Sequence, residues 1–210
     1  MNVTIKPLTE CTAADFFDFF DNRAFSDGSP NAPCYCNCFQ LTPDEVRIGI
    51  GERAAALGGE VEGLRLALRE SAQHLIKEGI LHGYLAYENN LAIGWCNAND
   101  RQNYIRAGAF HPGKHQDEDY YISPGEKGKI KSLVCFEIAP DYRGKGVAKA
   151  LLKRVCEDAK KERFERVEVY PQFVEAYSSL DFNGPVMMYR NAGFEEVERR
   201  GKTIIMRKKL

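Results

Sequence analysis

A glycine-bearing turn between a strand pattern and a helix pattern is the part of the chain best suited to bind an anion. The turn spans residues 143–148, RGKGVA, and apolar residues then recur every three or four positions. The first four N–H groups of a helix lack partners within the helix and lie at the positive end of its dipole. A strand, a glycine turn and a helix start therefore predict a phosphate-binding cradle.

Two common phosphate-binding fingerprints do not fit this turn. A P-loop needs G-x-x-x-x-G-K-[ST], and a dinucleotide fingerprint needs a third glycine where this chain has Lys149. The pattern that fits is [QR]-x-x-G-x-[GA], formed by Arg143, Gly146 and Ala148. A plain turn between a strand and a helix, with solvated lysines, is the alternative interpretation.

The segments on either side of the turn predict how it is positioned. Residues 131–138 are mostly apolar and end before Pro140, which has no N–H for a ladder, so they predict a strand. A helix is predicted from Val147 and another strand over residues 166–170. This order implies a right-handed parallel crossover, with the turn at the sheet edge where ligands bind.

The rest of the chain has weaker local patterns. Helices are predicted at about residues 13–23, from Thr42-Pro43 onward with breaks near Gly49–Gly51 and Gly58-Gly59, at 60–78 and at 185–191. Residues 98–129 are predicted to be a long loop. Further strands are predicted at residues 3–8, 83–87, 91–97, 194–200 and 203–208.

The turn, its flanking elements and a second motif resemble the GNAT superfamily of acyl-CoA-dependent N-acetyltransferases. The second motif, residues 189–194 (YRNAGF), is similar to that family's tyrosine on a short helix followed by x-x-x-Gly-Phe and a strand. The resemblance is to a bacterial-type subgroup with mostly undefined acceptors, and it is coarser in the first third. It implies a single domain over residues 1–210, of the α/β class (α+β mixed sheet), with a central twisted mixed β-sheet flanked by helices and a helical insertion before the central hairpin.

The resemblance implies acetyl-CoA as cosubstrate and assigns roles to individual residues. Strand backbone groups would hold the pantetheine arm and polarise the thioester carbonyl, and the turn would hold the pyrophosphate. Tyr189 would donate a proton to the leaving thiolate, with a packing or thioester-positioning role as the alternative. Side-chain contact of the turn's arginine and lysine with the ligand stays open. The implied cofactor-binding residues are Phe136, Glu137, Ile138, Arg143, Gly144, Lys145, Gly146, Val147 and Ala148.

The implied reaction is direct attack of a neutral primary amine on the acetyl carbonyl in a ternary complex, which needs a base. Ser132 stands where some family members have a carboxylate, Glu137 is a carboxylate on the same strand, and a water relay is the default. A small-molecule amine is the expected acceptor; a protein N-terminus or lysine is the alternative. Acidic residues 117–119 are either an attractor for a cationic amine or a solvated loop. Candidate walls of the acceptor pocket are Tyr35, Phe39 and Trp95.

Three closely spaced cysteines form the most unusual local sequence. Thiolates bind zinc or copper, but Cys34, Cys36 and Cys38 have single-residue spacing and no second pair follows, so no metal is predicted. Seven cysteines are an odd number for a disulfide framework, so reduced thiols are predicted. A redox-sensitive site would need a lowered thiol pKa.

Composition bounds the function classes. With 44% hydrophobic and 28% charged residues the 210-residue chain is typical of soluble proteins, and its formal net charge of -1 predicts no attraction for nucleic acid or anionic membranes. The N-terminus lacks a signal pattern and no apolar run reaches membrane-spanning length, so a cytoplasmic monomer or homodimer is expected. A non-catalytic acyl-CoA-binding module on the same scaffold, and a thiol-metal protein, remain the alternative functions.

Overall fold

A seven-stranded mixed sheet organises the computed structural model, which describes residues 2–105, 128–173 and 182–210. The strand order is β1-β2-β3-β4-β5-β7-β6, and β4 and β5 are the one parallel pair among the described strands. The predicted mixed-sheet fold class and the parallel crossover are both confirmed. The strands are β1 Thr4–Pro7, β2 Gly83–Glu88, β3 Leu91–Asp100, β4 Ile130–Ile138, β5 Arg166–Val169, β6 Glu195–Arg200 and β7 Thr203–Lys209.

Helices cover both faces of the sheet, and each face has its own hydrophobic core. Three helices from the first third pack with one face, and two later helices pack with the other. We call these sides the N-terminal face and the α4 face. The first group is α1 Ala13–Asn22, α2 Gly51–Ala56 and α3 Glu60–Lys77; the second is α4 Val147–Lys161 and α5 Val186–Asn191.

The N-terminal face is packed by the phenylalanines of α1. These four rings are all buried, and the Phe16 ring meets the indole of Trp95 on β3 edge to face at 4.9 Å between centroids. Such a dense aromatic contact supplies much of the apolar burial that fixes α1 on the sheet. The buried rings of α1 are Phe16, Phe17, Phe19 and Phe20.

The predicted helix break near Gly49–Gly51 is wrong. A π-helical segment, Glu45–Ile50, continues directly into α2. Thr42 and Glu45 exchange the two hydrogen bonds of a capping box, from the Thr42 N–H at 2.7 Å and the Glu45 N–H at 3.1 Å. This cap and the burial of Ile50 offset the low helix propensity of glycine. The predicted break at Gly58-Gly59 is confirmed, since both residues have left-handed backbone between α2 and α3.

The predicted loop over residues 98–129 begins too early. β3 continues to Asp100 and a short 3-10 turn, Arg101–Asn103, follows it. The extra residues pair with β4, since Ala98 lies opposite Leu133 and Asp100 opposite Lys131. The acidic residues 117–119 lie outside the described residues.

A buried ion network holds β4, β5 and β7 together where they pair. The Glu168 carboxylate on β5 accepts hydrogen bonds from Arg207 and, at 2.6 Å, from Tyr170. The Tyr170 hydroxyl also hydrogen-bonds Ser132 at 2.8 Å, and Arg101 lies 3.5 Å from Glu168. Two arginines and a tyrosine thus share one buried carboxylate, and loss of any of them would weaken the compensation of a buried charge, so these contacts favour one arrangement of the three strands.

β4 has two irregular features that shape one edge of the sheet. Its pairing with β5 covers only Ile130 to Leu133, after which the two strands separate. One extra residue, Val134, bulges between the positions that pair with Asn97 and Ala98 on β3. Val134 and Cys135 therefore both belong to the N-terminal-face core, and Phe136 returns to the α4 face.

We predict that Gly83→Ala destabilises the protein, because a methyl group has no room beneath Trp95. The added carbon would lie 2.1 Å from the Cys96 carbonyl oxygen and 2.3 Å from the indole ring. Overpacking of this kind costs about 1–3 kcal/mol in the free energy of unfolding, measured by urea denaturation. Gly49→Ala, which meets nothing within 4 Å in a helical segment, is the matched control and is expected to be neutral or stabilising. Equal losses in both variants would contradict this account.

Candidate active site

The glycine turn has the backbone geometry of an open anion cradle. Gly144 and Gly146 have φ values of +74° and +87°, the left-handed region that glycine adopts without strain. A carbon placed at either residue would meet nothing within 4 Å, so the space in front of the turn is open. Gly146 is the N-cap of α4, which puts the unpartnered N–H groups of the first helical turn beside this opening.

A cavity of about 390 Å³ joins this turn to the free edge of β4. Its volume lies in the range of small-molecule sites. Eight of the nine predicted cofactor-binding residues line it. The full lining is Phe136, Glu137, Ile138, Tyr142, Arg143, Gly144, Gly146, Val147, Ala148, Lys149, Phe182, Gly184, Pro185 and Met188.

Lys145 is the predicted cofactor-binding residue that does not line the cavity. Its side chain is exposed, and its ammonium lies 5.4 Å from the centroid of the Tyr142 ring. Lys149, one turn into α4, lines the cavity instead. Among the described residues, the positively charged side chains nearest the cavity are therefore those of Arg143 and of Lys149 on α4.

Arg143 points back into the protein. Its guanidinium donates to the Ile138 carbonyl at 3.1 Å and to Asp27, and it lies 3.5 Å from Glu137. Asp27 lies in the loop that follows α1, and Arg143 holds the pKa of this carboxyl below its usual value. Arg143 thus joins the turn to the N-terminal third.

Glu137 is the acidic residue among those that line the cavity. It lies next to Phe136 on β4 and so faces the opposite side of the sheet, toward the N-terminal helices. Burial raises the pKa of Glu137 to about 8, against the opposing effect of Arg143. A carboxyl with this pKa exchanges a proton near neutral pH.

Tyr189 is fully buried on α5. Its hydroxyl donates to the backbone carbonyl of Asn183, and its ring packs on Phe194 with centroids 5.6 Å apart. Proton donation to a ligand would require this hydrogen bond to break. The arrangement favours the positioning role over the acid role.

The three candidate acceptor walls are not brought together around the described cavity. Trp95 is in the core beneath α1, and Tyr35 is buried with its hydroxyl donating to Asp21. Burial raises the pKa of Tyr35 to about 12. Phe39 is nearer the cavity, since its ring packs on that of Phe182 at 6.2 Å between centroids. Aromatic residues are common both in cores and in pockets, so residue type alone could not show which of these three rings would line a pocket.

Cys36 and Cys135 near this face are buried, and Cys34 and Cys38 are partly buried. No disulfide joins any of the seven cysteines, which all lie in described segments. Cys34 is hydrogen-bonded to Cys38, and Cys36 to Cys135 on β4; these contacts and burial raise the pKa of Cys34 and of Cys135. Within the described residues no group of three or more His, Cys, Asp or Glu side chains is arranged to hold a metal ion.

Residues 182–185 contribute to the family resemblance in the sequence, but no site role was predicted for this segment, which closes the cavity on the β5 side. Phe182, Gly184 and Pro185 line the cavity, and the Phe182 carbonyl accepts a hydrogen bond from the Phe136 N–H at 2.7 Å. The signal was the Gly-Pro pair directly before a short helix, which places a turn there. A backbone contact between such distant residues has no signature in residue types.

These features together can bind an elongated anion. The turn and helix start suit a diphosphate, the groove along β4 suits an attached arm, and Glu137 supplies a proton-exchanging group in the wall. In the described part of the chain, no helix combines the length and the apolar character needed to cross a bilayer.

Comparisons with known proteins agree with this geometry. The model of the acetyltransferase (GNAT) family matches residues 59–179, more than half of the chain. A curated, uncharacterised N-acetyltransferase of Methanocaldococcus jannaschii is 33% identical over 78 residues. That match covers 37% of this chain and 31% of the other protein, so the chain spans about a third of the length of this relative.

Two solved structures show the same fold at low sequence identity. The GNAT domain of PAT from S. lividans has a TM-score of 0.52 at 13% identity, covering 99% of this chain and 90% of that one. An acetyltransferase of the GNAT family from Streptococcus pneumoniae has a TM-score of 0.50 at 16% identity, covering 100% and 99%. With the family matched across the glycine turn, β4 and α4, the chain belongs to the GNAT family of acetyltransferases.

Proposed function

We propose that this protein transfers an acetyl group from acetyl-CoA to a primary amine, with both substrates bound together. The observation that carries the proposal is the continuous cavity that links the open glycine turn, the start of α4 and the free edge of β4. Family membership supports the same cosubstrate and the same class of reaction. In this arrangement residues 143–148 hold the diphosphate, and residues 136–138 run beside the pantetheine arm.

The reaction forms one bond and breaks one. The neutral amine nitrogen attacks the thioester carbonyl carbon, a C–N bond forms, and the C–S bond breaks to release the thiolate of CoA. The amine loses a proton and the thiolate gains one. We assign proton acceptance to Glu137, because it is among the residues that line the cavity, its side chain lies on the N-terminal face of the sheet, and its pKa is raised to about 8.

A small-molecule amine is our proposed acceptor, and a protein N-terminus or lysine is the alternative. We also propose a cytoplasmic site of action, which the absence of disulfides among the seven cysteines supports.

The direct test combines binding with turnover. Calorimetry with coenzyme A should give saturable heat, and a panel of small amines, polyamines and peptides with acetyl-CoA should show amine-dependent release of free thiol. Binding without thiol release across the panel would favour a non-catalytic acyl-CoA-binding module. Absence of heat with coenzyme A would reject the proposed function.

We predict that activity rises with pH up to about 8. The pKa of Glu137 is raised to about 8, so the proton-accepting carboxylate predominates above that pH and its fraction falls about tenfold per unit below it. Glu137→Gln should lower kcat about 100-fold and remove this part of the pH profile of kcat/KM. Because the amine also titrates, the two profiles are compared with the same acceptor.

The control for this variant is Glu52→Gln, which changes an exposed carboxyl on α2. It should keep the wild-type rate and profile. If Glu137→Gln keeps the wild-type pH profile, Glu137 is not the base, and a water relay is the remaining candidate for that role.

We predict that Gly146→Val weakens cosubstrate binding by more than backbone strain alone would cause. Its side chain would project into the open space before the turn and would force a β-branched residue into left-handed backbone. Gly201→Val, at a left-handed hairpin glycine with equal free space, is the matched control. Both should lose about 1–2 kcal/mol of unfolding free energy. Only Gly146→Val should lower coenzyme A affinity, by at least about tenfold; equal affinities in the two variants would count against the turn as the diphosphate site.

A further inference from the structure

On the side that β5 leaves, the edge of β4 carries backbone N–H and C=O groups that a neighbouring strand would normally pair. Beyond Leu133 the strand has left β5, and the Phe136 N–H faces the resulting gap. A short stretch of chain, residues 182–183, fills this place. The Phe182 carbonyl accepts from the Phe136 N–H at 2.7 Å, and the Asn183 side-chain amide donates to the Val134 carbonyl at 3.2 Å. We call residues 182–183 the edge segment.

The edge segment is held in position from several sides. The Tyr189 hydroxyl donates to the Asn183 carbonyl, and the Phe182 ring packs on Phe39. The next residue, Gly184, has φ +76°, and an added carbon there would lie 2.9 Å from Met188 and 3.1 Å from the Tyr189 oxygen. Asn183 is buried, so its amide and carbonyl are committed to these protein partners. The contacts make one defined arrangement on β4.

In this arrangement the edge segment accepts a hydrogen bond from a backbone N–H that the proposed reaction needs as a donor. Phe136 and Phe182 both line the cavity, and the Phe136 N–H is the strand donor that the edge segment uses up. A thioester carbonyl on β4 would gain stabilisation from that same N–H as negative charge develops on its oxygen. One N–H makes one strong hydrogen bond, so the two carbonyls compete.

Resting on the function proposed above, we propose that the Phe182 carbonyl of the edge segment competes with the thioester carbonyl for the Phe136 N–H. Acyl-CoA displaces the Phe182 carbonyl from the Phe136 N–H when it binds. Asn183 and Tyr189 are positioning residues, because their hydrogen bonds set how readily the segment moves aside. The diphosphate site at the turn is independent of this exchange, since the turn makes no part of these contacts.

The test compares two ligands on Asn183→Ala. Acetyl-CoA reaches both the turn and β4, whereas ADP carries the diphosphate without the pantetheine arm. Loss of one hydrogen bond that holds the segment should tighten acetyl-CoA binding about fivefold and leave the dissociation constant of ADP unchanged. Asn22→Ala, which removes an exposed amide bonded to Asp18 on α1, is the matched control and should change neither.

Tyr189→Phe provides a second variant that keeps the buried ring and removes only the hydroxyl. It should also tighten acetyl-CoA binding, which a proton-donating role does not require. In protein labelled with ¹⁵N-phenylalanine, the Phe136 amide should shift on addition of acetyl-CoA and stay in place with ADP.

Unchanged or weaker acetyl-CoA binding in both variants would overturn the proposal. So would an equal change in ADP affinity, or a Phe136 amide that does not respond to acetyl-CoA. If Tyr189→Phe turns over more slowly but binds acetyl-CoA with unchanged affinity, Tyr189 acts as the acid and is not a positioning residue. If the wild-type protein binds neither ligand, the proposed function fails first, and the inference with it.

Discussion

β4 and β5 pair over four residues and then separate, and the functional part of the molecule is arranged around that separation. Buried backbone N–H and C=O groups are costly without partners, so the edge that β5 leaves must be paired by something else. In the described protein the edge segment and the Arg143 guanidinium take up this role. The same gap leads to the start of α4. One departure from regular strand pairing therefore creates the cavity that runs from the edge of β4 to the glycine turn.

The bulge at Val134 decides which side chains of β4 face which core. A one-residue change in a strand exchanges the two faces for every later position. Leu133 and Phe136 lie on the α4 face, whereas the residues between them lie on the N-terminal face. Glu137 consequently faces the helices of the first third, on the side of the sheet opposite α4. The chemistry of the wall thus depends on a backbone irregularity of a single residue.

Elements with strong local signals were predictable from the sequence. Pro140 ended a mostly apolar run, glycines opened a periodic helix, and strand, helix and strand implied a parallel pair, all of which the fold confirms. The bulge was not predictable, because residues 130–138 are buried on both faces and show no alternation. Gly49 and Gly51 misled because glycine lowers helix stability by only about 1 kcal/mol, which capping and burial offset.

The candidate site was predictable in part for the same physical reason. The spacing of its glycines identifies the turn in the sequence. Eight of the nine cofactor-binding candidates line one cavity. Tyr35 and Trp95 do not line this cavity and are buried, and residue type could not show this, because aromatic rings are common in cores as well as in pockets. The hydrogen bond between Phe136 and Phe182 joins two backbone groups, and no choice of side chain encodes it.

The ion pair between Arg143 and Asp27 ties the loop after α1 to the glycine turn. Arg143 is largely buried at this seam, and Glu137 is its other acidic neighbour. A chimera that grafts another protein's N-terminal helices onto this sheet without an acidic residue at that place would leave the guanidinium with Glu137 and the Ile138 carbonyl alone, and would lose the ion pair that ties the loop to the turn.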